Sequence, residues 1–260
     1  MSSKATIQGT VKDMLRELHL PGMRESFREK AREAAAEQIT YEDYLRELLE
    51  IECTERRRKR VQRRLHESHL PLEKNFNVLE TGRLGPKVNQ AVAVLREGTF
   101  VDRRENVLAF GQPGTGKTHL LAAIGQDLIT AGRRVLFAPC SLMVQQLLRA
   151  KGELQLDKYL KKLSRYEVLI IDDIGYVQHS REEMEVLFTL LAARYERGSV
   201  MITSNLPFSK WEAIFKDPMT TAAAIDRLVH HSVILELNVP SYRMEQAKNR
   251  KSDRAASPAK

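Results

Sequence analysis

The sequence is poor in the residues that build cross-linked or membrane-embedded proteins. Its 260 residues include only two cysteines, Cys53 and Cys140, too few for a disulfide framework or a four-cysteine zinc cluster. The longest nearly apolar run, residues 186–193, falls far short of the ~20 residues that span a bilayer. Residues 1–25 lack the apolar core and the cleavage site of a signal peptide. We therefore expect a cytoplasmic protein with no membrane association.

Acidic residues are also scarce relative to basic ones. The chain has 34 Asp and Glu against 42 Lys and Arg, a net charge of +8 with a pI near 9.5. An excess of this size indicates a polyanionic partner without identifying it. Hydrophobic residues make up 42% of the chain, enough to form a core, so a wholly disordered chain is excluded.

The sequence divides into three parts. Residues 1–72 are rich in Glu, Arg, Leu and Ala without β-branched runs, which predicts a small all-helical domain. Pro21 and Gly22 separate its first two helices, and a third is predicted from the cap at Thr40 to about His66. Residues 73–240 are predicted to form the catalytic domain. Residues 241–260, with six basic and two acidic residues, are predicted to be a basic tail.

The larger part has the pattern of a parallel sheet flanked by helices. Short apolar runs alternate with helical patterns, as expected for strands covered on both faces. A capping box at Ser180 begins one of these helices. Residues 72–104 are interpreted as a mixed connector, since Gly and Pro interrupt them. The five predicted strands are 107–110, 135–138, 168–171, 200–203 and 233–237.

Residues 111–118 match the phosphate-binding pattern G-x-x-x-x-G-K-[ST] in full. They follow a predicted strand and precede a predicted helix, which is the context that this loop requires. Glycines let consecutive backbone N–H groups point at phosphates, and the helix N-terminus adds a positive dipole. Lys117 is predicted to face the β- and γ-phosphates and Thr118 to bind Mg²⁺. The predicted nucleotide contacts are Gly111, Gln112, Pro113, Gly114, Thr115, Gly116, Lys117, Thr118 and His119.

Three further positions complete a predicted ATP-hydrolysing site. Asp172 and Asp173 end an apolar strand, where the first acid suits Mg²⁺ and the second suits a general base. Asn205 closes the next strand, predicted to lie between the strands of the phosphate loop and of the acids, beside the γ-phosphate. Arg227 lies near a helix end, where it could reach a neighbouring subunit's nucleotide. His230 and His231 have no third metal ligand at suitable spacing, and we predict a helix-end role.

A cluster of positive charge lies late in the third helix. Seven cations occur within nine residues, a density that favours contact with a nucleic-acid phosphate backbone over a merely solvated face. No recognition-helix or zinc signature accompanies them, so phosphate contacts with weak sequence preference are predicted. The predicted DNA-binding residues are Arg56, Arg57, Arg58, Lys59, Arg60, Arg63 and Arg64.

Taken together, these motifs resemble the IstB family, helper ATPases of insertion-sequence transposition related to DnaC helicase loaders within the AAA+ superfamily. The resemblance covers residues 8–248 and rests on segments 44–50, 111–119, 169–175, 203–205, 226–228 and 241–243. It implies a five-stranded AAA+ sheet behind an all-helical N-terminal domain, with Asn205 as sensor 1 and Arg227 as arginine finger. It also implies ATP-dependent homo-oligomers on duplex DNA that assist a cognate transposase. Only 23 residues follow Leu237, too few for the usual AAA+ helical lid.

Three alternatives stay open at this point. A DnaC-type loader would act on a replicative helicase rather than a transposase, and the neighbouring gene would distinguish the two. A small-molecule kinase would need an acceptor pocket and an arginine-rich lid, which the sequence does not suggest. A DNA-binding protein that binds ATP without hydrolysing it would fail a single-turnover assay.

Overall fold

A computed structural model describes residues 2–175, 180–215, 217–242 and 244–245. The described residues fall into two compact units, with the boundary between Arg63 and Arg64. The domain limits inferred from the sequence stay a prediction. Of the predicted basic tail, residues 243 and 246–260 lie outside the described residues.

The first unit is helical, as predicted. It contains α1 (Ser2–Glu17), α2 (Pro21–Glu37) and most of α3 (Tyr41–Glu67). Pro21 is the first residue of α2, a position where a helix has no use for the missing N–H. Four buried side chains form the core of this unit: Leu15, Met23, Phe27 and Leu48.

A buried acid, Glu52, holds the start of α2 against α3. Its Oε2 accepts hydrogen bonds from the backbone N–H groups of Gly22 and Met23 at 2.7 and 3.2 Å. Arg56 Nε donates to Oε1 at 2.8 Å. Burial alone would raise the pKa of Glu52, but hydrogen bonds from Arg56, Met23 and Gly22 hold it below its usual value. Glu52 is therefore a charged cap for the N–H groups that begin α2.

The second unit is an α/β domain with a parallel sheet, as predicted. Its elements are α4 (Pro86–Glu97), α5 (Thr99–Asp102), β1 (Asn106–Gly111), α6 (Lys117–Thr130), β2 (Val135–Pro139), α7 (Cys140–Gly152), α8 (Leu156–Leu163), β3 (Val168–Ile174), α9 (Arg181–Arg194), β4 (Ser199–Ser204), α10 (Glu212–Phe215), α11 (Pro218–Val229) and β5 (Ser232–Leu237). The order of the described strands is β2-β3-β4-β1-β5. Helix α9 contacts both α7 and α11, and α4 contacts α6.

The sheet places the predicted motifs at one end. β4 lies between β1 and β3, as the sequence predicted, so the carboxyl ends of the three central strands are adjacent. The capping box of α9 is complete, with Ser180 and Glu183 bonding each other's backbone. Trp211 is fully buried against Phe110, Phe208 and Phe215.

Two local expectations were wrong. Residues 72–104 contain α4 and α5 rather than only connector, because Pro86 begins a helix and Gly98, with a left-handed φ of 77°, ends it. β3 continues through the acids to Ile174, three residues beyond its predicted end at 171, and its register shifts between Ile171 and Ile174. Such an irregularity redirects side chains at the point where it occurs.

Within the described part of the chain, no helix combines the length and the apolar composition needed to cross a membrane.

Candidate nucleotide site

The loop between β1 and α6 is shaped to enclose an anion. Gly114 and Gly116 have left-handed backbones, with φ of 84° and 94°, which residues with a side chain rarely adopt. Thr115 Oγ1 donates to Gln112 O at 2.9 Å and fixes the curl. α6 begins immediately afterwards, so its unpaired N–H groups and positive dipole end face the loop.

Lys117 turns back into this loop. Its Nζ donates to Gly111 O at 2.7 Å and to Gln112 O at 3.1 Å, and the residue is buried. The ammonium group is thus held over the curl of the loop, where phosphate oxygens would be within its reach. The position agrees with the role that the sequence predicts for Lys117.

A single carboxylate oxygen joins helix α6 and the strands β3 and β4. Thr118 Oγ1 and Thr203 Oγ1 donate to Asp172 Oδ1 at 2.8 and 2.7 Å. The Asp173 backbone N–H in turn donates to Thr203 Oγ1 at 2.7 Å. The phosphate loop, the acid pair and β4 therefore meet at one point. Thr203, in the 203–205 segment of which only Asn205 has a predicted role, orients this cluster.

Asp173 lies at the irregularity in β3, with a left-handed φ of 67°. Strained backbone of this kind gathers at functional sites. Cys140, the first residue of α7, is buried near the same acids. Burial, followed by the carboxylates of Asp173, Glu183 and Asp172, raises the pKa of the Cys140 thiol to about 12.

A cavity of about 320 Å³ opens beside the phosphate loop. One wall is the segment before α4, and the opposite wall is the segment after β5. His119 Nε2 lies 2.9 Å from Asn75 O and holds the first wall against α6. The volume suits a nucleoside next to the phosphate loop. The lining includes Lys74, Val78, Leu79, Arg83, Leu84, Val239, Pro240 and Tyr242.

Arg83 fastens the two walls to each other. Its Nη2 donates to Pro240 O at 3.2 Å and to Glu245 Oε2 at 2.6 Å. The guanidinium carbon lies 5.2 Å from the centre of the Tyr242 ring, and Tyr242 N donates to Gly114 O at 3.0 Å. No local pattern marks Arg83, because these partners lie more than 150 residues away in the chain. The 241–243 motif was the available signal, and Arg243 lies outside the described residues.

Comparison with known proteins decides the family. Residues 13–251 match the IstB-like ATP binding protein family. The chain belongs to the IstB-like family. It is 42% identical over 243 residues to an insertion-sequence ATP-binding protein of Sinorhizobium fredii, covering 93% of this chain and 81% of that one. It is 38% identical to the insertion sequence IS21 ATP-binding protein of Pseudomonas aeruginosa, covering 82% of this chain and 81% of that one.

Among solved structures, the crystal structure of the DnaC helicase loader is similar in fold. It matches with a TM-score of 0.51 and 18% identity over 58% of this chain and 88% of that one. This likeness and the parallel sheet confirm the AAA+ fold that the sequence predicted. This chain thus combines the AAA+ fold with membership of a family of ATP-binding proteins, and the two relatives are both insertion-sequence proteins.

Arg227 of this IstB-like chain lies at the opposite end of the sheet from Lys117. Asn106, the first residue of β1, donates from Nδ2 to Leu228 O at 3.2 Å, next to Arg227. The phosphate loop follows the other end of β1, about 17 Å away at the usual rise of a strand. The Arg227 guanidinium lies over the Phe188 ring, 4.6 Å from its centre. The structure therefore does not bring Arg227 to the site of its own chain.

Asn205 follows the carboxyl end of β4. Its Oδ1 is buried, with no hydrogen-bond partner among the described residues. A buried polar atom without a partner is uncommon and needs an explanation. The position just beyond β4 fits the sensor role that the family resemblance implies.

The seven cations of α3 differ in what they contact. Arg56 Nη2 donates to His19 O at 2.8 Å besides bonding Glu52, and Arg58 pairs with Glu55. Arg64 Nη1 donates to Gly132 O, and Arg63 also has a polar contact. Three exposed residues form no ion pair in the described part of the chain: Arg57, Lys59 and Arg60. These three are the cations of α3 best placed to meet an external phosphate.

The structure brings a carboxylate to the two histidines. Potential ligand atoms of Glu196, His230 and His231 lie within 4.8 Å of one another, and all three residues are exposed. Sequence spacing did not show Glu196, because it follows α9 and meets the histidines only through tertiary packing. His230 is the C-terminal cap of α11, which confirms its helix-end position.

Proposed function

We propose that this protein hydrolyses ATP to ADP and phosphate, and that its ATP-bound state assembles on duplex DNA and assists a transposase. The observation that carries the hydrolysis is the cluster in which Thr118, Thr203 and Asp172 share one carboxylate oxygen beside the phosphate loop. A site meant only to bind nucleotide has no need of the second acid, Asp173.

The donor set of this cluster suits Mg²⁺. Mg²⁺ prefers oxygen ligands and binds through one or two protein groups together with phosphate oxygens and water. Thr118 Oγ1 and Asp172 Oδ1 are 2.8 Å apart, so both can serve one ion directly or through its water shell. When bound, Mg²⁺ would neutralise charge on the β- and γ-phosphates.

The protein groups have separate tasks in the reaction. The loop N–H groups and Lys117 bind the phosphates, and the cavity between Arg83 and His119 receives the nucleoside. Asp173 accepts a proton from the water that attacks the γ-phosphorus, and the bond between this phosphorus and the bridging oxygen breaks to release ADP. Asn205 orients that water by accepting a hydrogen bond at its Oδ1, which has no partner among the described residues, or detects the γ-phosphate by donating from its Nδ2 group.

The DNA and transposase parts rest on charge and on the relatives. Arg57, Lys59 and Arg60 present three exposed, unpaired charges on α3, and the chain carries a net charge of +8. Such a surface binds phosphates without reading sequence. The insertion-sequence names of the two relatives support a transposase as the protein partner. Arg227, remote from the site of its own chain, supports assembly into homo-oligomers.

The test measures ATP hydrolysis and duplex binding of the full-length protein, with ATP and with ADP, over a salt series. Replacing Arg57, Lys59 and Arg60 by Ala should reduce the log–log salt slope by about 2.7, or about 0.9 per lost contact. Nucleotide binding without DNA should be unchanged. The matched control replaces three other exposed, unpaired cations by Ala: Arg32, Lys87 and Lys210.

Three results would contradict the proposal. ATP binding without single-turnover hydrolysis would contradict the proposed ATPase activity. Duplex binding that depends on neither salt nor nucleotide would contradict the proposed assembly of the ATP-bound state on DNA phosphates. Stimulation by a replicative helicase, with none by the transposase encoded beside this protein, would favour the helicase-loader function.

A further inference from the structure

The ATPase unit carries a second basic surface, on the hairpin of α7 and α8. A groove of about 660 Å³ lies between these helices, and five cations and one acid contribute to its lining. The acid, Glu153, pairs with Arg149 at 2.8 Å. The other four cations are exposed and form no ion pair with any described residue: Lys158, Lys161, Lys162 and Arg165.

The amphipathic pattern of α8 places its lysines on the solvent-exposed face of the helix. Leu156, Tyr159, Leu160 and Leu163 pack against the core of the sheet. Lys158, Lys161 and Lys162, spaced at i, i+3 and i+4, share another face of the helix and face the solvent. Because like charges at this spacing repel one another, the arrangement costs stability unless an anion neutralises it.

An exposed leucine lies at the tip of the same hairpin. Leu154 is 91% exposed and has a left-handed φ of 56°. It occupies the position just after α7 that glycine or asparagine normally fills, with Leu154 N and Gln155 N bonded to Lys151 O and Ala150 O. The other non-glycine residues with left-handed backbones in the described chain are polar or charged. Both the left-handed backbone conformation and the solvent exposure at position 154 are therefore unfavourable for a leucine.

We propose that the α7–α8 hairpin is a duplex-binding element, in which the four cations contact phosphates and Leu154 inserts as an apolar wedge against a base step. Proteins that deform DNA combine phosphate contacts with leucine or similar wedges placed between bases. The exposed positive charge favours a polyanionic partner. An apolar contact with that partner also explains why the tip carries leucine in place of glycine or asparagine, which suit this backbone. The inference deepens the proposed DNA binding and rests on it.

Two sets of variants separate the two roles. Replacing Lys158, Lys161 and Lys162 by Ala should lower the salt slope of duplex binding by about 2.7, whereas the Arg32, Lys87 and Lys210 control should not. Leu154→Asn places a residue suited to the left-handed backbone at the tip. It should keep the salt slope, weaken binding about tenfold through the lost apolar contact, and abolish duplex bending measured by end-to-end energy transfer. A melting temperature equal to or above that of the parent would show that the fold is intact.

The outcomes also distinguish this inference from the proposed function. If the parent protein shows no salt-dependent duplex binding, the proposed DNA binding itself fails. If the parent binds and bends DNA but the lysine variant keeps its slope and Leu154→Asn keeps the bend, only the hairpin inference is overturned. Loss of transposase capture with unchanged DNA binding would assign the hairpin to a protein partner and would also overturn it.

Discussion

The two ends of the central strands carry opposite chemistry. At the carboxyl end, hydroxyls, carboxylates and a buried amide oxygen surround the phosphate loop. At the amino end, Arg194 is buried beneath backbone carbonyls, and Arg227 lies near the start of β1. One end offers ligands for a cation and a triphosphate, and the other carries the Arg227 guanidinium. The length of the strands separates the two within one chain, which is why the proposed shared site takes its arginine from a second subunit.

The largest expected effect is at Arg227. Arg227→Ala should bind ATP nearly normally but lower turnover by about 10³–10⁵, the usual contribution of an arginine finger. A mixture of the inactive Arg227→Ala and Lys117→Ala proteins should regain part of the activity, because some interfaces pair an intact lysine with an intact arginine. Arg103→Ala, which removes an exposed arginine bound to Glu105 at the same end, is the control. Mixed oligomers that form without any recovery would refute a shared site.

A smaller kinetic effect is expected at the carboxyl end. Asp173→Asn should retain ATP binding and slow single-turnover hydrolysis about 10²–10⁴-fold, the usual contribution of a general base. Asp157→Asn, at an exposed acid of α8, should change nothing. Hydrolysis at the parent rate by Asp173→Asn would show that another group accepts the proton.

Arg194, at the amino end of the strands, is expected to stabilise the fold and to take no part in catalysis. Its guanidinium donates to Tyr166 O, Glu167 O and Ser199 O at 2.7–2.9 Å, and burial lowers its pKa to about 10. Arg194→Met would remove these three hydrogen bonds and should lower the free energy of unfolding by about 3 kcal/mol. Denaturant unfolding followed by circular dichroism measures this loss. Arg197→Ala, at an exposed position nearby, should be neutral, and an equally stable Arg194→Met would contradict the structural role.

The cysteines give the smallest and simplest test. With a pKa of about 12, Cys140 has roughly one thiolate in 10⁴ molecules at pH 8, and it is buried, whereas Cys53 is exposed. A thiol reagent should therefore label one cysteine per folded chain and two per unfolded chain. Mass spectrometry identifies the labelled residue. Rapid labelling of Cys140 in the folded protein would mean that the acid pair is less enclosed than the structure shows.

Local patterns made most of the fold predictable. The strands were located to within three residues, because continuous apolar runs are typical of buried parallel strands. The capping box of α9 and the phosphate loop each depend only on residues close together in the chain. The structure contains the complete capping box, and helix α6 begins directly after the loop, as predicted. Helix α4 is not predicted from the sequence, because Pro86 and Gly98 fit a loop as well as they fit the two ends of a helix.

The remaining parts depend on contacts between distant residues. Arg83 closes the nucleoside cavity only because the fold places residues 240–245 beside it. Arg56 looked equivalent to its neighbours in the sequence, yet it bonds His19 O and Glu52. Glu196 joins two histidines more than 30 residues away. No spacing rule reveals such pairs, since each requires the tertiary structure.

The contact between Gly114 and Ser241 has a consequence for how this family can diverge. A Cβ at position 114 would collide with Ser241 Oγ, and the left-handed backbone independently disfavours any side chain there. Position 114 is thereby held to glycine by two separate constraints. A smaller residue at position 241, 127 residues away in the chain, would remove the collision but not the backbone constraint, so glycine should persist at position 114 whatever residue position 241 carries.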